Sequence, residues 1–130
     1  MYANSRFLIV DDSNTIQKRM NQILKKLEIE DFDMASNGGE ALAKLDEAIA
    51  ADNAFKLILC DWNMPDMLGI DVLRKVRAHV NPVIANMKFI MITSSNDKIA
   101  EAMKTGANNV VTKPLDEEAL QMKLRLVLGG

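Results

Sequence analysis

Three carboxylates, one hydroxyl and one ammonium group stand where short apolar runs of this chain end. Asp11 and Asp12 follow Arg6 to Val10 (RFLIV), and Asp61 follows Leu57-Ile58-Leu59-Cys60. Thr93 follows Met87 to Ile92 (MKFIMI), and Lys113 comes just after Val110-Val111. If these runs are parallel strands, their carboxyl ends lie along one edge of a sheet, where open α/β folds place their ligands. Crowded carboxylates repel one another unless a positive charge sits among them. An oxygen-only donor set without His or Cys favours Mg²⁺, which binds through few carboxylates together with phosphate oxygens. Asp61, on the central run, is then the candidate nucleophile, since aspartyl phosphates are established covalent intermediates. Asp11 and Asp12 would hold the metal. Lys113 can pair with Asp61 at rest and with a phosphoryl oxygen afterwards, and the Thr93 hydroxyl can donate to another. Singly, each residue has a plainer reading: Asp61 as a loop cap, Asp11-Asp12 as a helix cap, Thr93 as a strand residue, Lys113 as surface charge. Their joint placement at successive strand ends favours the cluster.

The elements that must position them alternate along the chain. The continuous apolar run at 57–60 and the largely apolar runs at 6–10 and 87–92 suit strands covered on both faces. Phe32 to Ser36 is a weaker, edge-type strand closed by the turn signal Asn37-Gly38-Gly39, and Val110-Val111 is a short fifth strand. Between them, Ile16, Met20, Ile23, Leu24 and Leu27 recur at helical spacing, with Ser13 or Asn14 as the N-cap. Helices are likewise expected from Glu40 to about Ala51 and along Ile70, Leu73, Val76 and Val80, the latter stopped by Asn81-Pro82. A short helix capped by Asp97 should end at Gly106, and Asp116 to Leu128 closes the chain. Five strand-helix units of this length imply right-handed crossovers and a doubly wound parallel α/β sheet with five helices, in one domain over residues 1–130.

Composition fits that class. With 48% apolar and 26% charged residues the chain is globular in type, and 130 residues suffice for one core. A net charge of -2 offers no basic field for nucleic acid. No apolar run approaches the roughly 18 residues of a membrane span, and MYANSR is no signal segment, so a cytoplasmic protein is expected. The single cysteine, Cys60, lies within an apolar run and reads as a buried thiol, while His79 reads as solvent-facing.

Asp11-Asp12 after RFLIV, Asp61 in DWNMPDMLG, Thr93-Ser94 after FIMI and Lys113-Pro114 after GANNVVT resemble the receiver domain of two-component response regulators, over essentially the whole chain. The resemblance implies a flavodoxin-like sheet of order 2-1-3-4-5 and a cis bond at Lys113-Pro114. It also implies that Asp61 accepts a phosphoryl group from a histidine kinase. Mg²⁺ would be held by Asp11, Asp12, Asp61 and the Asn63 backbone carbonyl, with Thr93 and Lys113 transmitting the change. DWNMP is most similar to the chemotaxis members, which implies an output protein such as the flagellar motor switch, a phosphatase, and a monomer. Beyond weak self-catalysed phosphorylation and dephosphorylation, no enzyme activity is implied.

Departures from the family pattern are informative. Val110 stands where an aromatic is usual, and Ser13 where an aromatic follows the acidic pair. Asn63 and Ser95 occupy the positions that tune dephosphorylation, and a small Ser95 should leave attacking water access. The last helix carries two apolar stripes, Leu120-Leu124-Val127-Leu128 and Ala119-Met122-Leu126. Only one can face the sheet, so Met122 and Leu126, with Val110, are the candidate partner surface.

Other classes stay open from residues alone. A stand-alone receiver in another phosphorelay shares every motif. A Mg²⁺-dependent phosphatase of the haloacid-dehalogenase type also uses an Asp nucleophile, but places it on its first strand. A flavodoxin-like cofactor binder would need a phosphate to sit on the acidic loop DDSNT.

Overall fold

The computed structural model describes residue 2 and residues 4–129. Strands β1 (Phe7–Val10), β2 (Phe32–Ala35), β3 (Leu57–Asp61), β4 (Lys88–Thr93) and β5 (Asn109–Thr112) form one parallel sheet of order β2-β1-β3-β4-β5. This is the flavodoxin-like order. Helices are α1 (Asn14–Lys26), α2 (Gly38–Ala50), α3 (Gly69–Arg77), α4 (Pro82–Ala85), α5 (Ile99–Thr105) and α6 (Glu117–Leu128).

Alternation along each strand sorts the core into two layers. Leu8, Val10, Ile58, Cys60 and Met91 face the side covered by α2, α3 and α5. Phe7, Ile9, Leu57, Leu59 and Ile92 face the side of α1 and α6. Apolar packing on both faces is why the inner strands read as unbroken runs, and Cys60 is buried among them. The Lys113-Pro114 peptide is cis.

Helix ends follow local chemistry. Ser13 caps α1 by accepting from the Ile16 amide, and Asp116 caps α6 at Ala119. Gly106 ends α5 at φ 123°, a left-handed conformation suited to glycine.

Four expectations are corrected. Asn37 caps α2, and both following glycines enter its first turn instead of forming a turn outside it. The third helix stops at Arg77, where the His79 ring turns back and its Nδ1 accepts the Asn81 amide at 2.9 Å. Val80 is therefore off the helix and 96% exposed. Asn81-Pro82 starts a further one-turn helix, with Asn81 as N-cap and proline at its first position, so among the described residues there are six α-helices and not five. His79 is half-buried and meets Asp46 at 2.8 Å, not simply turned to solvent.

Candidate functional site

The carboxyl ends of β1, β3, β4 and β5 converge, as the parallel register requires. Oxygens of Asp11, Asp12 and Asp61 lie within 4.8 Å of one another. Asp11 and Asp61 are buried, at 1% and 3% exposure, whereas Asp12 is exposed.

Each side chain is fixed by its own strand end. The Asp11 amide donates to Ala35 O, and Asp11 Oδ1 accepts from the Ser13 amide at 2.9 Å. Gln17, one turn into α1, donates from Nε2 to Asp11 O at 2.6 Å and to Ser36 Oγ at 3.4 Å, tying the ends of β1 and β2. Nothing in the local sequence marked Gln17. Trp62, next to Asp61, donates its amide to Ile92 O and accepts from the Gly69 amide, both at 2.8 Å. The loop from Asp61 thus folds back tightly: a Cβ on Gly69 would stand 2.2 Å from Asp61 O. On β4 the buried Thr93 Oγ1 accepts from the Ser95 amide at 3.2 Å, and Thr93 O accepts from the Lys113 amide at 2.8 Å.

Lys113 Nζ lies 3.0 Å from Asp61 Oδ1, the ion pair expected at rest. It does not balance the site. Burial raises the Asp11 carboxyl to about 6, helped by repulsion from Asp61 and opposed by the Ser13 amide. Burial also raises Asp61, and Lys113 offsets part of that rise. Asp11 Oδ2 is buried without any hydrogen-bond partner. A buried carboxylate oxygen left unpaired, facing two further carboxylates, is the signature of a donor set that fits a hard cation.

Asn63 is exposed in the loop after β3. Met122 and Leu126 lie on the outer face of α6, 60% and 67% exposed, away from the sheet-facing Leu120 and Leu124. Val110 does not join them. At 4% exposure it sits in the core layer with Ala102 and Ala107, because odd and even positions of β5 face opposite layers and both layers are covered. It is not surface in this structure.

The response regulator receiver domain model matches residues 7–125. Chemotaxis protein CheY1 of Helicobacter pylori strain J99 is 39% identical over 126 residues, 95% of this chain and 97% of that protein. Among solved structures, the chemotaxis protein CheY4 of Vibrio cholerae superposes with a TM-score of 0.80 at 30% identity, covering 95% of this chain and 98% of that one. The CheY of a CheX-CheY-BeF3-Mg complex from Borrelia burgdorferi gives 0.83 at 27% identity, covering 95% and 89%. With a matched sheet order and a receiver model spanning nearly its whole length, the chain belongs to the response regulator receiver domain family.

Proposed function

We propose that this receiver is a single-unit chemotaxis switch in which Asp61 takes a phosphoryl group from a histidine kinase. The observation that carries the reading is the buried Asp61, held at the end of β3 between an ammonium and an acidic pair with an unpaired oxygen. Asp11, Asp12 and Asp61 would hold Mg²⁺, with the Asn63 carbonyl as a further donor, and the ion would neutralise charge on the phosphoryl oxygens. An Asp61 carboxylate oxygen forms the new O–P bond as the kinase's N–P bond breaks, and the departing imidazole keeps the electron pair. Lys113 holds Asp61 in place and offers its ammonium to a phosphoryl oxygen. The Thr93 hydroxyl, buried at the neighbouring strand end, donates to another. Most of what phosphoryl transfer needs is positioning and charge neutralisation, which this frame supplies. The names of its relatives support chemotaxis. By the family resemblance the output partner would be the flagellar motor switch, with a phosphatase to reverse the signal, and the protein would be a cytoplasmic monomer.

Incubation with Mg²⁺ and a small-molecule phosphodonor should give one mass adduct that D61N lacks. Multiple turnover of an organic phosphate, or an adduct that persists in D61N, would sink the reading. The partner face is tested separately. M122K and L126K should weaken partner capture by the beryllofluoride-loaded protein at least about tenfold, as truncating interface anchors does. Their stability should change by less than about 0.5 kcal/mol, as for exposed substitutions.

A further inference from the structure

Trp62 is the only tryptophan of the chain and is buried beside Asp61. Its ring meets a cation: Lys98 Nζ stands 5.3 Å from the ring centroid. Lys98 is half-buried, and among the described residues it joins no ion pair. A lysine ammonium is strongly hydrated, so seating it on an indole on a surface turn, with no carboxylate at ion-pair distance among the described residues, is a specific placement.

The turn that carries it is anchored to the phosphoacceptor from two directions. Lys98 ends the 3₁₀ turn Asn96–Lys98, and its amide donates to Ser95 O at 3.2 Å. The Ser95 amide in turn donates to Thr93 Oγ1 at 3.2 Å. One strand end therefore grips the turn through the Thr93 hydroxyl, and the other through the Trp62 ring. Helix α5 begins at Ile99, the next residue. Whatever moves Lys98 moves the start of α5.

We propose that Lys98 is a positioning residue of the switch: its ammonium, seated on Trp62, clamps the β4–α5 turn to the strand end bearing Asp61, and phosphorylation resets the clamp. The inference rests on Asp61 being the phosphoacceptor. Adding a phosphoryl group puts negative charge beside Trp62, which attracts the ammonium away from the ring face. The Thr93 hydroxyl, turning toward a phosphoryl oxygen, draws the Ser95 amide and the turn with it. Both displacements change the seat of Lys98 and shift α5, without any rotating aromatic on β5, where Val110 is aliphatic and buried.

The test compares wild type, K98R and K98M, each titrated with Mg²⁺ and beryllofluoride as the phosphoryl mimic. It reads Trp62 emission and the amide resonances of residues 94–105. Wild type should change emission on loading, and K98R, which keeps a cation able to stack, should retain most of that change. K98M should lose at least about half of it, shift its loading midpoint about threefold, and show α5 amides already displaced toward loaded positions before any mimic is added. K98M matching wild type in emission change, midpoint and α5 amides, while both take up the mimic, overturns the clamp alone. Wild type failing to take up the mimic overturns the phosphoacceptor reading, and the clamp with it.

Discussion

Asp11 is the residue whose electrostatics have the plainest outward consequence. Its carboxyl is raised from 3.8 to about 6, so between those values the folded chain holds a proton that the unfolded chain has released. The sign follows. The folded state binds more protons, so this group's contribution is most favourable below about pH 4 and declines as pH rises through 6. At 1.36 kcal/mol per unit, the full penalty approaches about 3 kcal/mol. D11N removes it. Without divalent cations, wild type minus D11N stability from urea midpoints should fall by about 1–3 kcal/mol between pH 4 and 7. Mg²⁺ should recover most of that loss in wild type and none in D11N. A flat difference across the range would show that Asp11 is not strained.

At the scale of elements, the loop between β3 and α3 is held by an approach that only glycine permits. The missing Cβ of Gly69 leaves Asp61 O just enough room, and the obstruction on substitution would be backbone, not a side chain that can rotate away. G69A should therefore cost about 2 kcal/mol or more, and slow adduct formation at Asp61 as the strand end shifts. A G69A protein with wild-type midpoint and phosphorylation rate would show that the loop relaxes freely. How legible such elements were depended on their range. The inner strands and their polar ends could be read because a strand buried on both faces carries its polar residues only at its ends, as Asp61 on β3 and Lys88 and Thr93 on β4 do. Asn81-Pro82 and Asn37-Gly38-Gly39 misled because the residues that end one element also cap the next. Two adjacent valines on β5 carry no sign of whether both faces are covered, so the local pattern does not separate a buried Val110 from a surface one. Gln17 on Asp11 O, and Lys98 on Trp62, join residues distant in sequence or bonded through backbone atoms, which no local pattern encodes.

Across the whole molecule, Arg77 fastens the segments at the far ends of α3 and α5. Its guanidinium donates to Gly106 O from Nε and Nη2, to Ala85 O and Met87 O from Nη1, and to Asn108 Oδ1 from Nη2. Asn108 Oδ1 also accepts the Phe89 amide at 2.9 Å, so the network reaches the start of β4. Burial lowers the Arg77 pKa, yet the group keeps its charge because its donors have partners. R77M keeps much of the stem but strands these acceptors. It should lower stability by roughly 2–4 kcal/mol in thermal or urea unfolding, since unpaired buried carbonyls cost about 1–3 kcal/mol each and some will find water. The acidic site lies at the opposite ends of the strands, so phosphorylation at saturating Mg²⁺ should change little. A large loss of adduct in R77M at temperatures where it remains folded would contradict that separation.

Cys60 gives the molecule an internal clock. It is the only cysteine, it is wholly buried on the middle strand next to Asp61, and burial raises its thiol well above the usual range. A thiol reagent can reach it only while the centre of the sheet is open, so labelling counts openings one molecule at a time. Because the thiol is one residue from the phosphoacceptor, occupancy of the acidic site becomes readable as lengthened labelling time, with no added probe. Strain relieved at Asp11 and Asp61 would thus be seen as rigidity in the strand that carries them.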